Sequence, residues 1–266
     1  MNPRYIDAHC HIQFEQYDTD REELIERMRE QGVAGIVVGC DLESSRKAVE
    51  LAEKYEHLYA SVGLHPNHAG DESFDESLYR ALAQSPKVVA IGECGLDYFR
   101  PTEVNDEVKE KQKEIFKKHV ALAGELDKPL ILHPRPAKGT QDAYHDIIAI
   151  LQEAKNTYSR LKGDSHFFVS GEVEAAALIT LDFTVSFTAV ITFARDYDDV
   201  IRAVPLSGIL AETDSPYVAP ASRRGQRNDP LAVIEVVEKI ASIRGEDPES
   251  VRAALLTNTR RLFGIL

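Results

Sequence analysis

A short apolar, β-branched run followed by a segment of helical spacing recurs about every 30 residues along this chain, eight times in all. The runs occupy 5–11, 35–40, 58–64, 88–94, 129–133, 164–169, 183–192 and 209–212. Between them apolar residues fall three and four apart: Leu24, Ile25 and Met28 before the stop at Gly32, then Val49 with Ala52, then Leu78 with Leu82. The longest such segment, 103–126, carries Val104, Val108, Ile115, Phe116, Val120 and Ala123 on one stripe, and 140–155, 172–180, 196–203, 229–243 and 248–263 read as further helices. Nearly continuous apolar strands alternating with helices require a parallel sheet covered on both faces. Eight such units predict a single (β/α)₈ TIM barrel, one domain over 1–266, a length typical of that fold. A doubly wound open sheet would carry a glycine-rich fingerprint at its first turn, and none is present. No Pro- or Ser-rich linker or low-complexity stretch marks a boundary.

Barrels place their chemistry at the C-terminal ends of the strands. Strand one ends Asp7-Ala8-His9-Cys10-His11, and alternation puts His9 and His11 on one face, on the order of 7 Å apart at the backbone, where both can reach one ion. Cys10 faces the other way and reads as packing. Other runs end in Glu93, His133 and, just beyond, Asp214, while His166 lies within the sixth. Four histidines and two carboxylates at one rim would hold two divalent ions, with a carboxylate able to bridge them. Nitrogen and oxygen donors suit Zn²⁺, Mn²⁺ or Mg²⁺ without choosing among them. Two ions near 4 Å apart imply hydrolysis, because they acidify water and steady both attacking and leaving oxygens.

Lys and Arg number 31 against 44 Asp and Glu, a net charge of −13. That argues against a broad basic surface for nucleic acid, so contact with phosphates has to be local. The loop 221–230 supplies such a spot, with Arg223, Arg224 and Arg227. Arg135, two past His133, offers a donor fork to a phosphate oxygen. His65 points from the rim, and Tyr98 and Phe99 offer rings for stacking on a base. Asp214 can ligate a metal and take a proton from the attacking water. Glu212 and Asp7, each two residues from a ligand candidate, read as supports for it. His119 reads as a core-edge residue, His57 and His145 as solvent-facing, and His68 as near the site through the His65 loop. Cys10, Cys40 and Cys94 form no CxxC pattern, so they read as small buried thiols and suggest neither a disulfide framework nor a zinc ribbon. No apolar run approaches the ~18 residues that span a bilayer. The first fifteen residues carry Arg4, Asp7, His9, His11 and Glu15, unlike a signal peptide, so a cytoplasmic protein is expected, with no membrane and no obligate protein partner.

The strings Asp7-Ala8-His9-Cys10-His11, Gly63-Leu64-His65-Pro66, 91–98, His133-Pro134-Arg135, 212–217, 224–230 and 257–263 together resemble the TatD family of metal-dependent deoxyribonucleases, in order and across the whole chain. The resemblance implies a metal-dependent hydrolase barrel and a two-metal phosphodiesterase on DNA, a 3′ to 5′ exonuclease preferring single strands. By position it implies that His9, His11 and Asp214 hold one ion, that His133 and His166 hold the other, that Glu93 bridges them, and that His65 contacts the substrate phosphate. Catalytic roles then fall to Glu93, Asp214 and His65, and substrate contacts to His65, Tyr98, Arg135, Arg224 and Arg227. The alternative is a barrel amidohydrolase cleaving a small amide, lactone or ester. Many of those bridge their metals with a modified lysine on strand four, where Glu93 stands here. A binding protein with a purely structural metal site would favour thiolates, which this set lacks.

Three positions depart from the family pattern. Pro136 stands where many relatives have an acidic residue, which predicts a missing hydrogen bond to a ligand. The stretch 166–171 is one residue longer than usual, calling for a bulge or an altered loop. Ala189 replaces a common glycine after strand seven, which would narrow the site.

Overall fold

The computed structural model describes residues 2–69, 73–100 and 105–265; Glu103 and Val104, expected at the start of the longest helix, lie outside them. Eight strands form one parallel sheet in sequence order: β1 Tyr5–Cys10, β2 Val33–Val38, β3 Leu58–Val62, β4 Val88–Asp97, β5 Leu130–Arg135, β6 Gly163–Ser165, β7 Phe183–Phe187 and β8 Ile209–Ala211. Around them run α1 Arg21–Glu30, α2 Leu42–Lys54, α3 Glu76–Leu82, α4 Asp106–Leu126, α5 Asp142–Ala154, α6 Glu172–Thr180, α7 Asp198–Ala203, α8 Val233–Arg244 and α9 Pro248–Phe263. The TIM barrel read from the repeat is the architecture observed. β4 and β5 run further than the apolar pattern indicates, and β6 and β7 stop short of it.

Closure between β8 and β1 uses little ladder. Cys10 and Ser215 form an isolated bridge, the His11 N–H donates to the Ser215 carbonyl at 2.8 Å, and the Asp214 N–H donates to His9 at 2.9 Å. Buried Asp7 fastens the seam with its carboxylate, accepting from the Thr213 N–H at 2.9 Å and the Thr213 hydroxyl at 2.6 Å. Its oxygen also accepts from the His9 N–H at 3.2 Å, so Asp7 supports His9 through the backbone rather than the ring.

Two apolar clusters account for strands buried on both faces. One packs the outer strand faces against the helices, as with Met28, Val33 and Val37. The other fills the barrel interior with Ile6, Ala34, Ile36, Ala90 and Leu210, and Leu262, Phe263 and Ile265 at the end of the chain pack into it. The interior is thus a solid core rather than a pore, and the polar side chains of β1, β4 and β5 stand at its opposite, C-terminal mouth. Among the described residues no helix is long and apolar enough to cross a membrane.

His57 is buried rather than solvent-facing, with Nε2 at 3.2 Å from the Ile25 carbonyl, while His145 is exposed. His119 is fully buried: Nδ1 lies 2.9 Å from the Ile115 carbonyl, and Nε2 accepts from the Leu64 N–H at 2.9 Å, just before His65. Only the neutral ring can serve both partners, and burial holds its pKa down at about 4. The unfolded chain therefore takes up this proton first as pH falls, so stability present above the ordinary value of 6.5 is lost down to about 4. Urea unfolding at pH 7 and pH 4 is expected to show wild type losing about 3 kcal/mol more than His119→Gln; equal losses would mean the ring is not held neutral.

Candidate metal centre

Each strand end brings its side chain to the mouth for a local reason. The β1 ladder slips between Asp7 and Cys10, and the two histidines turn in together with their Nε2 atoms 3.1 Å apart. In β4, Gly92 and Gly95 have φ of 143° and 146°, and a Cβ on either would stand 2.5 Å from a β5 carbonyl oxygen, of Ile131 and His133 respectively. Only glycine permits that approach. The ladder to β5 shifts between Ile91 and Cys94, and Glu93 is carried into the mouth. Asp214 follows β8 with φ of 52°.

Glu93 sits between two pairs of histidines. Its Oε2 is 3.5 Å from His9 Nε2 and 3.9 Å from His11 Nε2, and its Oε1 is 2.6 Å from His133 Nδ1 and 2.8 Å from His166 Nε2. Asp214 Oδ1 stands 3.4 Å from His11 Nε2 and 3.8 Å from His9 Nε2. Potential ligand atoms lie within 4.8 Å of one another in four overlapping groups: His9–His11–Glu93, His9–His166–Asp214, Glu93–His133–His166 and His65–Asp97–His133.

The second nitrogen of each ring decides what the first offers. His11 Nδ1 is 2.8 Å from the Val38 carbonyl, so it carries the proton and Nε2 presents a lone pair inward. His133 Nε2 faces Asp97 Oδ2 at 3.3 Å and His166 Nδ1 faces Glu212 Oε2 at 3.4 Å, which likewise turns lone pairs of His133 Nδ1 and His166 Nε2 onto Glu93. Lone pairs facing a carboxylate at these distances repel unless a cation lies between them, so the donor set fits divalent metal. His65 differs. Its Nδ1 accepts from the Asn67 N–H at 3.1 Å, leaving Nε2–H as a donor directed at the site.

In the absence of a cation the rings and carboxylates instead favour each other's charged forms. Burial pushes Glu93 up, but the neighbouring histidines, His166 first, more than reverse this and hold it well below the usual carboxylate range. Asp214 is held low in the same way by His11 and His9. Burial depresses His9 and His65, whereas for His11, His133 and His166 the facing carboxylates outweigh burial and raise the pKa.

Asp97, given no role in the sequence reading, is fully buried and takes the outer nitrogen of His133. It is itself fixed by the N–H groups of Phe99 and Arg100 at 3.0 and 2.9 Å. Its carboxylate orients the ring from β4, so the hydrogen bond expected to be missing at Pro136 is supplied elsewhere. Extending β4 past Cys94 would have revealed it, since Glu93, Gly95 and Asp97 then share a face. Cys10 and Cys94 are buried, but Cys40 reaches the centre, with Sγ 3.6 Å from Glu93 Oε2. The extra residue of 166–171 is absorbed by a turn: β6 ends at Ser165, Phe167 adopts φ of 46°, and Phe168 returns to the core. Ala189 packs in that core rather than into the site.

Of the expected substrate contacts, Tyr98 cannot stack on a base. It is buried, its hydroxyl is 2.8 Å from Asp146, and Lys109 lies over its ring. Phe99 beside it is 51% exposed and carries the Arg135 guanidinium 4.6 Å over one face. Arg227 is committed elsewhere, paired with Asp20 and bonded to the Gln16 carbonyl at 2.6 Å. Arg223 is paired with Asp229 at 3.0 Å. Arg224 lies over Phe193 at 3.8 Å and has no carboxylate partner among the described residues, which leaves it the available cation of that loop. A cavity of about 700 Å³ opens beside His133 and His166 and extends under Phe99, Arg135 and Phe167.

Residues 6–264 match the family model of TatD related DNases. The chain is 36% identical to the uncharacterized metal-dependent hydrolase YabD of Bacillus subtilis over 98% of its own length and 99% of the relative's. It is 32% identical to a protein of Erwinia amylovora named 3′-5′ ssDNA/RNA exonuclease TatD, covering 94% of this chain and 96% of that one. Among solved structures it is similar to YjjV, a TatD homologue from Escherichia coli K12, at a TM-score of 0.87 and 30% identity over 100% of both chains.

Proposed function

The chain belongs to the TatD family of metal-dependent hydrolases, and from that premise we propose that it is a two-metal phosphodiesterase that removes nucleotides from single-stranded DNA in the 3′ to 5′ direction. The observation that carries the reading is the division of labour at Glu93, whose two oxygens face two different histidine pairs. His9, His11 and Asp214 would hold one cation and His133 and His166 the other, with Glu93 shared between the two sets. Mg²⁺, Mn²⁺ or Zn²⁺ in these positions would acidify a water and neutralise charge on the phosphoryl oxygens.

The protein's own groups divide the remaining work. Asp214 is 13% exposed at its side chain, against 4% for Glu93 and 0% for Glu212, so it is the carboxylate of the three that meets incoming solvent. It takes the proton of the attacking water. His65, fixed as an Nε2–H donor, bonds a phosphate oxygen. Arg135 and Arg224, each stacked on a phenylalanine, supply the local positive charge that a chain of net charge −13 otherwise lacks. The relative named as a 3′-5′ exonuclease on single-stranded DNA and RNA supports the substrate and the polarity.

Metal-stripped protein given a single-stranded DNA oligomer labelled at either end is expected to shorten it from the 3′ end only after Mg²⁺, Mn²⁺ or Zn²⁺ is restored. Asp214→Asn, given the same metal, is expected to shorten it at least about a hundredfold more slowly. Loaded protein that leaves the oligomer intact but opens small amides or lactones would overturn the nuclease in favour of an amidohydrolase.

A further inference from the structure

Phe167 lies in the stretch after β6 that is one residue longer than the family pattern, and its backbone is in the left-handed region at φ of 46°. A bulky L-residue is rarely found there, and such conformations gather at ligand sites, where the surroundings hold them. The holding group is visible: the Phe167 N–H donates to Glu212 Oε1 at 2.5 Å, while the other oxygen of the same carboxylate faces His166 Nδ1 at 3.4 Å. The turn that displaces Phe167 is thus tied to the carboxylate that orients a ligand histidine. The following residue, Phe168, is 1% exposed in the core against Tyr144 and Phe187, so the core does not require a second phenylalanine here.

Phe167 instead lines the cavity beside His133 and His166. Phe99, half exposed and with Arg135 over one face of its ring, lines the same cavity. Arg135 is half-buried and has no carboxylate or carbonyl partner among the described residues. Burial lowers its pKa but leaves it a cation, as arginine remains in proteins. Pro134, Pro136, Ala137 and Val169 supply apolar lining, and of the polar side chains beside them Thr140 is bonded to Ala137 and Asp142, Gln141 to Ser170 and His145 to Glu174, which leaves Lys138. Such a lining offers few fixed donors or acceptors with which to tell one base from another.

Resting on the nuclease reading above, we propose that Phe167 and Phe99 are the walls of a nucleobase slot, in which the base next to the scissile phosphate stacks while Arg135 holds the adjoining backbone. Aromatic walls beside an unpaired guanidinium bind any base of a single strand through its π-face and do not bind a paired duplex end. Phe167 thereby determines specificity for unpaired ends, and the slot tolerates every sequence.

The test uses metal-loaded protein and two single-stranded oligomers, one intact and one with abasic residues at the end that wild type digests. Stacking on one aromatic changes affinity by about 5- to 150-fold. Phe167→Ala is expected to raise KM for the intact oligomer about tenfold or more with kcat within about twofold, to leave KM for the abasic oligomer unchanged, and to be rescued by Phe167→Trp. The abasic end alone is expected to raise the wild-type KM comparably. A Phe167→Ala KM that rises equally on both oligomers, or on neither, overturns the slot while leaving the nuclease standing. Wild type that digests neither oligomer removes the nuclease reading and the slot with it.

Discussion

Glu93→Gln protein is expected to fold, to hold fewer than two metal ions per chain, and to hydrolyse phosphodiesters at least about a thousandfold more slowly than wild type. The carboxylate is the one donor whose two oxygens lie within 4 Å of all four histidine nitrogens, 2.6 and 2.8 Å on one side and 3.5 and 3.9 Å on the other. An amide of the same shape carries no charge to balance two dications and can offer only one oxygen. The side chain could then no longer serve cations on both sides, which would remove several kcal/mol of transition-state stabilisation, about 10³-fold in rate.

The fold is expected to survive because a glutamine amide can donate to the inward lone pair of His133 or His166, satisfying a contact that repels a carboxylate in the absence of a cation. Metal content by emission spectrometry, thermal unfolding by circular dichroism and nucleotide release together check the prediction. Full turnover with two ions bound would remove Glu93 from the mechanism.

Much of this centre is legible in the chain because the strand period is short and strict. An HxH at the end of an apolar run, a glutamate after Val88-Val89-Ala90-Ile91-Gly92 and a histidine after Leu130-Ile131-Leu132 each need only one strand's alternation and a barrel's polarity to be assembled at one mouth. What escapes are properties set by partners distant in sequence. Asp97 is reached only if β4 continues beyond its apolar run, and that continuation depends on two glycines packing against β5. Tyr98 and Phe99 are adjacent rings with the same local signal. Tyr98 is taken into the core by Asp146, 48 residues away, and Phe99 is left at the mouth. Arg227 and Arg224 look alike in their loop until Asp20, from the far end of the chain, engages one of them. His57 looks solvent-facing because nothing near it in sequence shows that it packs against Ile25 in α1.

Glu212→Ala is expected to cost about 3–5 kcal/mol of stability and to weaken metal binding about 10- to 100-fold, although Glu212 is in none of the four potential ligand groups. The side chain is fully buried at the end of β8. Its Oε1 accepts from the Phe167 N–H at 2.5 Å and the Ser186 hydroxyl at 2.6 Å; its Oε2 stands 3.4 Å from His166 Nδ1 and 3.9 Å from His9 Nδ1. Ser186 also lies 2.6 Å from Asp164 Oδ2, and one hydroxyl proton cannot serve two carboxylates. Burial and the charge of Glu212 push Asp164 up to about 7, so below that pH the neutral acid donates to Ser186 and Ser186 donates to Glu212. Glu212 is therefore the acceptor on which a buried chain of donors ends. Alanine removes a fully buried acceptor from the Phe167 N–H and the His166 Nδ1–H, and the donors left unpaired account for the loss of stability. With its tautomer no longer fixed, the His166 ring need not present Nε2 to the metal, which accounts for the loss of affinity. Glu212→Gln keeps one acceptor oxygen in place and is expected to lose less than half as much on both counts. Urea unfolding with and without metal, alongside metal titration, separates the two effects. Wild-type unfolding and wild-type affinity in the alanine variant would mean that neither the Phe167 turn nor His166 depends on this carboxylate.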